Sequence, residues 1–267
     1  MPIITISRGS YSRGKEVAET LAKKLDYDCL SREILLSASE QFNIPEMRLV
    51  RALHDAPSIF ERFADGKQRY VAYIRAAILG MAQKDNTVYH GLAGHIFLKN
   101  IPHVLKVRII ADLEDRVQEE MKRMKISADE ARYTLTKDDD ERRRWSLYLF
   151  GRDTNDPNLY DLLIHTGKIR VEEAVEIISH TVQLPTFQVT PASQKILDNL
   201  ELAARVEALL TEEFSGPEAF AENGKVHITV RAPMSLRKKL TPRIKELVKK
   251  VEGVKDVTVS IIPLRQF

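Results

Sequence analysis

The chain has 267 residues, of which 43% are hydrophobic and 30% charged, so it is long enough for two domains and has the composition of a soluble globular protein. It has 41 Lys and Arg residues and 38 Asp and Glu residues, so its formal net charge is only +3. This charge is too small for strong nonspecific binding to nucleic acid through the overall electrostatic field. A single cysteine, Cys29, excludes an internal disulfide framework, and no apolar run is long enough to cross a membrane. We therefore expect a cytoplasmic protein with no transmembrane segment and no DNA or RNA partner.

The first predicted elements are a strand, a loop and a helix. Residues 3–7 form a β-branched run, and apolar side chains recur at helical spacing from Val17 to Leu25. Strands that alternate with helices in this way predict a parallel sheet with helices on both faces, where ligands bind at the carboxyl ends of the strands. The later predicted elements of this pattern are strands 87–90, 103–111 and 160–165 and helices 114–124, 127–140 and 170–182.

The alternating pattern is interrupted at PTFQVTPAS, where two prolines and small polar residues predict a linker. We therefore divide the chain into a first domain of residues 1–184, a linker of residues 185–194 and a C-terminal domain of residues 195–267. The last domain is predicted to fold as a helix, the strand KVHITVRA, a second helix and a final strand. Alternating apolar residues in that first strand predict a small α/β unit whose sheet has one buried face.

Residues 9–15, GSYSRGK, fit the spacing G-x-x-x-x-G-K of a phosphate-binding loop. They also stand between a predicted strand and a predicted helix, which is the context that such a loop requires. Its backbone N–H groups would cradle phosphate oxygens, and the Lys15 ammonium would reach the outer phosphates. Glu16 stands where the standard motif has a magnesium-binding Ser or Thr. The alternative is a glycine-containing turn followed by a surface lysine.

The stretch ITISRGSYSRGKEVAETLAKKL resembles the opening of the cytidylate-kinase-like proteins, which are P-loop kinases of the nucleoside monophosphate type. VYHGLAGHIFL and KDDDERRRWSLYLFGRDTNDPNLYDLLIHT are similar to two later segments of that family, so the resemblance covers about residues 1–184. It implies an α/β fold with a three-layer parallel sheet, ATP as phosphoryl donor, and magnesium bound to the nucleotide. In this family, Glu16 is the expected residue.

The resemblance also implies roles for individual residues. Lys15 would act in catalysis together with two arginines of the lid, Arg142 and Arg143, whose guanidinium groups suit the charge of a transferring phosphoryl group. Arg32 and Gly91 would lie on the substrate side. The nucleotide-binding residues would be Arg8, Gly9, Ser10, Tyr11, Ser12, Arg13, Gly14, Lys15, Glu16 and Arg116.

Simpler interpretations of the arginines stay open. Arg142 and Arg143 also fit a solvated helix face paired with the acidic residues 138–141, and Arg116 also fits an exposed charge on a helix surface. Arg75 is expected to lie on a helix surface.

The chain departs from the family pattern at three positions. Tyr11 and Arg13 stand where the family usually has glycine, which supplies positive φ and close backbone approach without steric cost. Leu92 replaces an arginine that is expected to help hold a phosphate. These departures leave catalytic competence more open than the fold.

The seven histidines show no metal-ligand spacing, so we expect no metal other than nucleotide-bound magnesium. Near the C-terminus, VEGVKDVTV resembles the end of the BON domain, a small α/β module. This resemblance implies a regulatory or oligomerising role. The basic residues 237–250 would allow contact with a protein or another anionic partner, although a solvated amphipathic helix explains them as well.

Three hypotheses about function follow. The first is an ATP-dependent nucleoside monophosphate kinase, for which a cytidine nucleotide is the best guess of acceptor. The second is a degenerate nucleotide sensor that signals through its C-terminal domain. The third, an assembly scaffold with a kinase fold, predicts no affinity for any nucleotide.

Overall fold

The computed structural model describes residues 2–10, 12–31, 64–91 and 93–263, together with Leu36, residues 38–40 and Phe42. The long described segments form two compact units. One contains residues 2–31 and 84–190, and the other contains residues 64–83 and 191–263.

The order of the described elements agrees with the predicted alternation of strands and helices, although the short strand Asp28–Leu30 was not predicted. In chain order they are β1 (Ile3–Arg8), α1 (Gly14–Leu25), β2 (Asp28–Leu30), α2 (Ala64–Ala82), β3 (Thr87–His90), α3 (Gly94–Phe97), β4 (Val104–Ile110), α4 (Leu113–Met124), α5 (Ala128–Phe150), β5 (Leu162–His165), α6 (Val171–Val182), α7 (Pro191–Leu210), β6 (Glu218–Glu222), β7 (Lys225–Arg231), α8 (Arg237–Val248) and β8 (Asp256–Ile262). Short 3₁₀ turns occur at Pro157–Leu159, Pro185–Phe187 and Met234–Leu236.

The first unit is built on a five-stranded parallel sheet with the order β2-β3-β1-β4-β5. The central strand β1 pairs with β3 through Ile3 and Thr87, and with β4 through Ser7 and Arg108. Because all five strands run the same way, the residues that follow β1, β3, β4 and β5 meet at one edge.

Helices cover both faces of this sheet, which confirms the predicted three-layer α/β fold. Ile4 and Ile6 of β1 point into a buried cluster that includes Val17 of α1 and Ile178 of α6. On the opposite face, the short helix α3 approaches β1 so closely that a Cβ on Gly94 would lie 3.4 Å from Thr5 Cγ2. Side chains alternate along β1, so Ile4 and Ile6 face α1 and α6, and Thr5 faces α3.

Helix α5 is longer than the predicted helix 127–140 and continues to Phe150. Its predicted start is confirmed, since Ser127 and Glu130 form a capping box in which the Ser127 N–H donates to Glu130 Oε2 over 2.9 Å. The arginines expected in a lid are therefore part of one continuous helix.

The second unit contains a three-stranded sheet with the order β6-β7-β8, in which β6 and β7 are antiparallel and β7 and β8 are parallel. Val226, Ile228 and Val230 of β7 are buried against a cluster that includes Val206 of α7 and Ile244 of α8. The sequence analysis missed β6, because its sequence EAFAE has no β-branched residue and contains good helix formers.

Arg75 does not lie on an exposed helix surface, as the sequence analysis expected, but forms an ion pair with Glu207 and is only 26% exposed. Glu207 also accepts a hydrogen bond from the Ala219 N–H over 2.9 Å. Burial raises the pKa of Glu207 above its ordinary value, and Arg75 only partly opposes this. The pair links α2, α7 and the start of β6 within the second unit.

None of the helices in the described part of the chain is long and apolar enough to cross a membrane.

Candidate phosphate-binding site

The loop after β1 is tied to the edge of the sheet. The Gly9 N–H donates to the carbonyl of Ile109 in β4 over 3.2 Å. The Ser12 hydroxyl, which is almost completely buried, lies within hydrogen-bond distance of the carbonyls of Gly9 (3.1 Å) and Ile109 (3.0 Å). These bonds hold the loop at the carboxyl ends of β1 and β4.

Arg13 adopts a left-handed backbone conformation, which glycine adopts without steric cost. It has φ 59° and ψ 10°, immediately before α1 begins at Gly14, and its carbonyl accepts the Val17 N–H over 3.0 Å. The left-handed conformation costs a non-glycine residue about 1–2 kcal/mol. The half-exposed side chain forms an ion pair with Glu119 at 3.2 Å. An arginine at this position therefore does not prevent the loop from leading into the helix.

Gly14 is required by close packing within the loop. A Cβ at this position would lie 2.7 Å from Arg8 Cβ and 3.1 Å from Arg8 Cδ. Because Arg8 Cβ is fixed to the backbone, rotation of a side chain cannot relieve the first of these contacts.

We expect Gly14→Ala to lower the free energy of unfolding by about 1–3 kcal/mol, because the loop or β1 must shift. Urea denaturation would measure this effect. Gly9→Ala is the matched control, since a Cβ there would meet no atom closer than 3.7 Å. Equal losses in the two variants would contradict the packing explanation.

A carboxylate of the protein accepts hydrogen bonds from donors at the loop. Asp139 of α5 accepts a hydrogen bond from the Ser10 N–H over 2.9 Å, and its other oxygen lies 2.6 Å from Arg116 Nη1. Arg116 also donates to the Ser10 carbonyl over 3.1 Å, and its side chain is only 12% exposed. The alternative interpretation of Arg116 as an exposed charge on a helix surface is therefore wrong. A backbone amide and a buried guanidinium thus converge on one anion.

The charge of Asp139 is stabilised at this position. Burial alone would raise the pKa of its carboxyl group, but the Ser10 N–H and Arg116 outweigh burial and hold the pKa below its ordinary value. The carboxylate is therefore the form present at neutral pH.

Lys15 and Glu16 lie in the exposed first turn of α1. Lys15 Nζ is 3.5 Å from Glu19 Oε1, and both side chains are more than half exposed. Glu16 is exposed as well. An exposed pair of this kind contributes only about 0.3–0.5 kcal/mol, so Lys15 is free to change partner when an anion arrives.

Arg142 and Arg143, the two arginines predicted to act in catalysis, have different surroundings. Arg142 Nη1 lies 3.5 Å from the carbonyl of Arg8, at the start of the loop. Arg143 is half exposed and binds Asp153 over 2.8 Å. Arg142 is therefore the closer of the two to the loop.

The family model that describes the cytidylate kinase-like family matches residues 3–168. The chain belongs to this family. The match begins at β1 and ends just after β5, so it covers the sheet of the first unit and every element that contributes to the loop.

Two curated relatives are cytidylate kinases. That of Archaeoglobus fulgidus is 29% identical over 191 residues, which are 70% of this chain and 97% of that protein. That of Pyrococcus horikoshii is 26% identical over 185 residues, 67% of this chain and 88% of that protein. Among solved structures, an uncharacterized protein from Eubacterium ventriosum has a TM-score of 0.54 at 20% identity, covering 68% of this chain and 98% of its own. The last similarity concerns the fold.

Not every predicted residue can be located in the site. Tyr11, Arg32 and Leu92 lie outside the described residues. Gly91 follows β3, where a Cβ would overlap the ring and hydroxyl of Tyr89, so packing alone is enough to require glycine there.

The sequence analysis missed Arg108, a buried arginine in β4 on the opposite face of the sheet from α1. Its Nη1 donates to Ser7 Oγ over 3.0 Å and lies 3.3 Å from the Tyr160 hydroxyl, and its Nη2 donates to Asn155 Oδ1 over 3.1 Å. A single arginine within the apolar strand VLKVRII is the signal that could have found it, because an arginine is rarely buried without a partner.

Within the described ranges, no three His, Cys, Asp or Glu side chains are grouped so that they could hold a metal ion.

Proposed function

We propose that the protein is an ATP-dependent nucleoside monophosphate kinase, with a cytidine nucleotide as the first acceptor to test. The observation that carries this proposal is the convergence of the Ser10 N–H and Arg116 on the Asp139 carboxylate. N–H and guanidinium donors bind carboxylate oxygens and phosphate oxygens alike, so the loop has the donors that a phosphate-binding site requires. Membership of a kinase-like family supports nucleotides as the source of that phosphate.

The geometry of the loop supports the same chemistry. The buried Nε of Arg116 has no hydrogen-bond partner among the described residues, so a donor remains available at the loop. Phosphoryl transfer needs position and charge neutralisation more than covalent chemistry. Arg116 and the loop amides would hold the donor phosphates, and Lys15 would leave Glu19 to neutralise their outer oxygens. Arg142, whose Nη1 lies 3.5 Å from the Arg8 carbonyl, would stabilise the transferring group.

Magnesium would supply positive charge between the donor phosphates. The chain offers two exposed carboxylates at this edge, Glu16 after the loop and Asp112 after β4. Carboxylate oxygens are suitable ligands for this ion, directly or through water, so the residues present fit it.

A second candidate function is a nucleotide sensor. The observation that favours it is the same Asp139, because an anion of the protein already occupies the loop and a nucleotide must displace it. The movement of α5 would then report occupancy. In this version the domain of residues 195–267 would pass on the signal, as the BON resemblance implies.

The first test is binding. A ligand that binds only the folded state raises the unfolding temperature, so we expect ATP with magnesium, or CMP, to raise the melting temperature of the full chain. If none of the common nucleotides changed the melting temperature, both the kinase and the sensor hypotheses would be contradicted. The scaffold hypothesis would then remain.

The second test is turnover. We expect ADP release from ATP in a coupled assay when nucleoside monophosphates are supplied one at a time, with the highest rate for CMP or dCMP. A melting-temperature shift without ADP release from any acceptor would favour the sensor.

A further inference from the structure

The Arg108 side chain lies in a group of neutral polar residues. Arg108 is 8% exposed and Ser7 is 8% exposed. The guanidinium uses Ser7, Tyr160 and Asn155 as acceptors and lies over the Tyr160 ring, with its Cζ 5.5 Å from the ring centroid. These acceptors are hydroxyl and amide oxygens, and none of them is a carboxylate.

A buried guanidinium normally has a carboxylate partner, because an uncompensated charge costs several kcal/mol in the protein interior. Among the residues that the structure describes, no carboxylate lies within the 4.0 Å ion-pair distance of Arg108. Asp153 is near enough to Arg108 for the guanidinium charge to affect its pKa. The pKa of Asp153 lies below its ordinary value because the Asn155 N–H donates to it, with Arg143 and then Arg108 adding to the effect. Asp153 nevertheless forms its own ion pair with Arg143.

A second polar group beside Arg108 also has capacity to bind. His95 is 5% exposed, and its buried Nε2 has no hydrogen-bond partner in the described part of the chain. The centre of its ring lies 5.0 Å from that of the Tyr160 ring, and the two rings are tilted by 35°. Burial, together with the charges of Arg108 and Lys106, lowers the pKa of His95 to about 4. The ring is therefore neutral at pH 7, and in one tautomer its Nε2–H can donate to an anion.

The group adjoins the phosphate loop. Arg108 is paired with Ser7 across β1 and β4, and Gly9 of the loop follows Ser7 by two residues. Arg142 reaches the Arg8 carbonyl, and Arg143 reaches Asp153 near Asn155. Arg108 and Arg142 thus both lie at the carboxyl end of β1. Of these two, Arg108 is the buried one, and its hydrogen-bond partners among the described residues are the Ser7, Tyr160 and Asn155 side chains.

We propose that Arg108 binds the phosphate group of the acceptor nucleotide. This inference rests on the proposed kinase function and names the residue that recognises the substrate. The phosphate supplies the missing negative charge. Asn155 lies in an exposed loop, so its amide oxygen is the partner that the phosphate displaces.

Isothermal titration of CMP and cytidine into the full chain tests this inference, because the two ligands differ only in the phosphate. We expect the wild type to bind CMP more tightly than cytidine. Arg108→Met should weaken CMP binding about 10- to 100-fold and leave cytidine and ATP unchanged. Arg108→Lys should fall between the two proteins, since it keeps the charge and loses the planar fork.

Lys106→Met is the matched control. Lys106 lies on the same strand and points to the same face, but its ammonium is paired with Asp161 at 2.9 Å. We expect this variant to bind CMP like the wild type.

The outcomes separate this inference from the proposed function. CMP binding that is equal in the wild type and in Arg108→Met would overturn the inference and leave the kinase standing. Loss of ATP binding together with CMP binding in Arg108→Met would also overturn it, since the substitution would then act on the whole fold. If Arg108→Met fails to fold, a Lys variant with unaltered CMP affinity would overturn the role of the fork. A wild type that binds no nucleotide would refute both proposals.

Discussion

Replacing Lys15 by alanine is expected to lower the turnover number for CMP-dependent ADP release by about 100- to 1,000-fold, the loss that follows removal of one preorganised group from a transition state. The side chain stands at the first turn of α1, directly after the loop. Its present partner, Glu19, is exposed and binds it weakly, so Lys15 can move to the phosphates at little cost. The KM for CMP should change less than the turnover number, because Lys15 would contact the transferring group and not the acceptor base.

Lys23→Ala is the control for this substitution. Lys23 lies on the same helix, is exposed and stands two turns further from the loop. The Lys23→Ala variant should release ADP in the presence of CMP at the wild-type rate. Activity of Lys15→Ala within a few-fold of the wild type would remove Lys15 from the mechanism, whatever the result of the binding experiments.

The sequence predicted four of the five strands of the first unit, β1, β3, β4 and β5, because local and global signals agree there. It missed the edge strand β2, whose three residues are too short a run to show a period. The β-branched residues of β1, the helical spacing from Val17 to Leu25 and the Ser127 capping box all act within a few residues, so they can be recognised without knowing the fold. By contrast, β6 was missed because its pairing with β7 is decided by tertiary contacts and not by its own residues.

The candidate site shows the same division. The loop itself was predicted from its spacing and context. Its occupation by Asp139 could not be predicted, because 129 residues separate Asp139 from Ser10 and only the packing of α5 brings them together. Arg108 was missed for a related reason. Its partners Ser7 and Tyr160 come from distant parts of the sequence, and the periodicity of a buried strand gives no information about them.

The contact between Asp139 and the loop has a consequence for affinity. The Ser10 N–H and Arg116 Nη1 cannot serve the carboxylate and a nucleotide phosphate at the same distances, so ATP bound at this loop would have to displace Asp139. Hydrogen bonds to a charged group contribute about 1.5–3 kcal/mol, and this part of the binding free energy is lost to the displacement. We therefore expect Asp139→Asn, which keeps the size of the side chain and removes its charge, to bind ATP about 10- to 100-fold more tightly.

Titration calorimetry at several pH values would check this prediction. Because the pKa of Asp139 in the folded protein is depressed, its carboxylate stays charged even in the pH range where an ordinary aspartate becomes protonated. The competition disappears only as the pH falls through that lowered pKa. The difference in ATP affinity between Asp139→Asn and the wild type should accordingly be constant from about pH 6 to 8. Asp140→Asn, a change at the exposed neighbour on the same helix, should leave the affinity unaltered. Weaker ATP binding by Asp139→Asn would instead mean that Asp139 holds Arg116 in place for the nucleotide, and the competition would have to be abandoned.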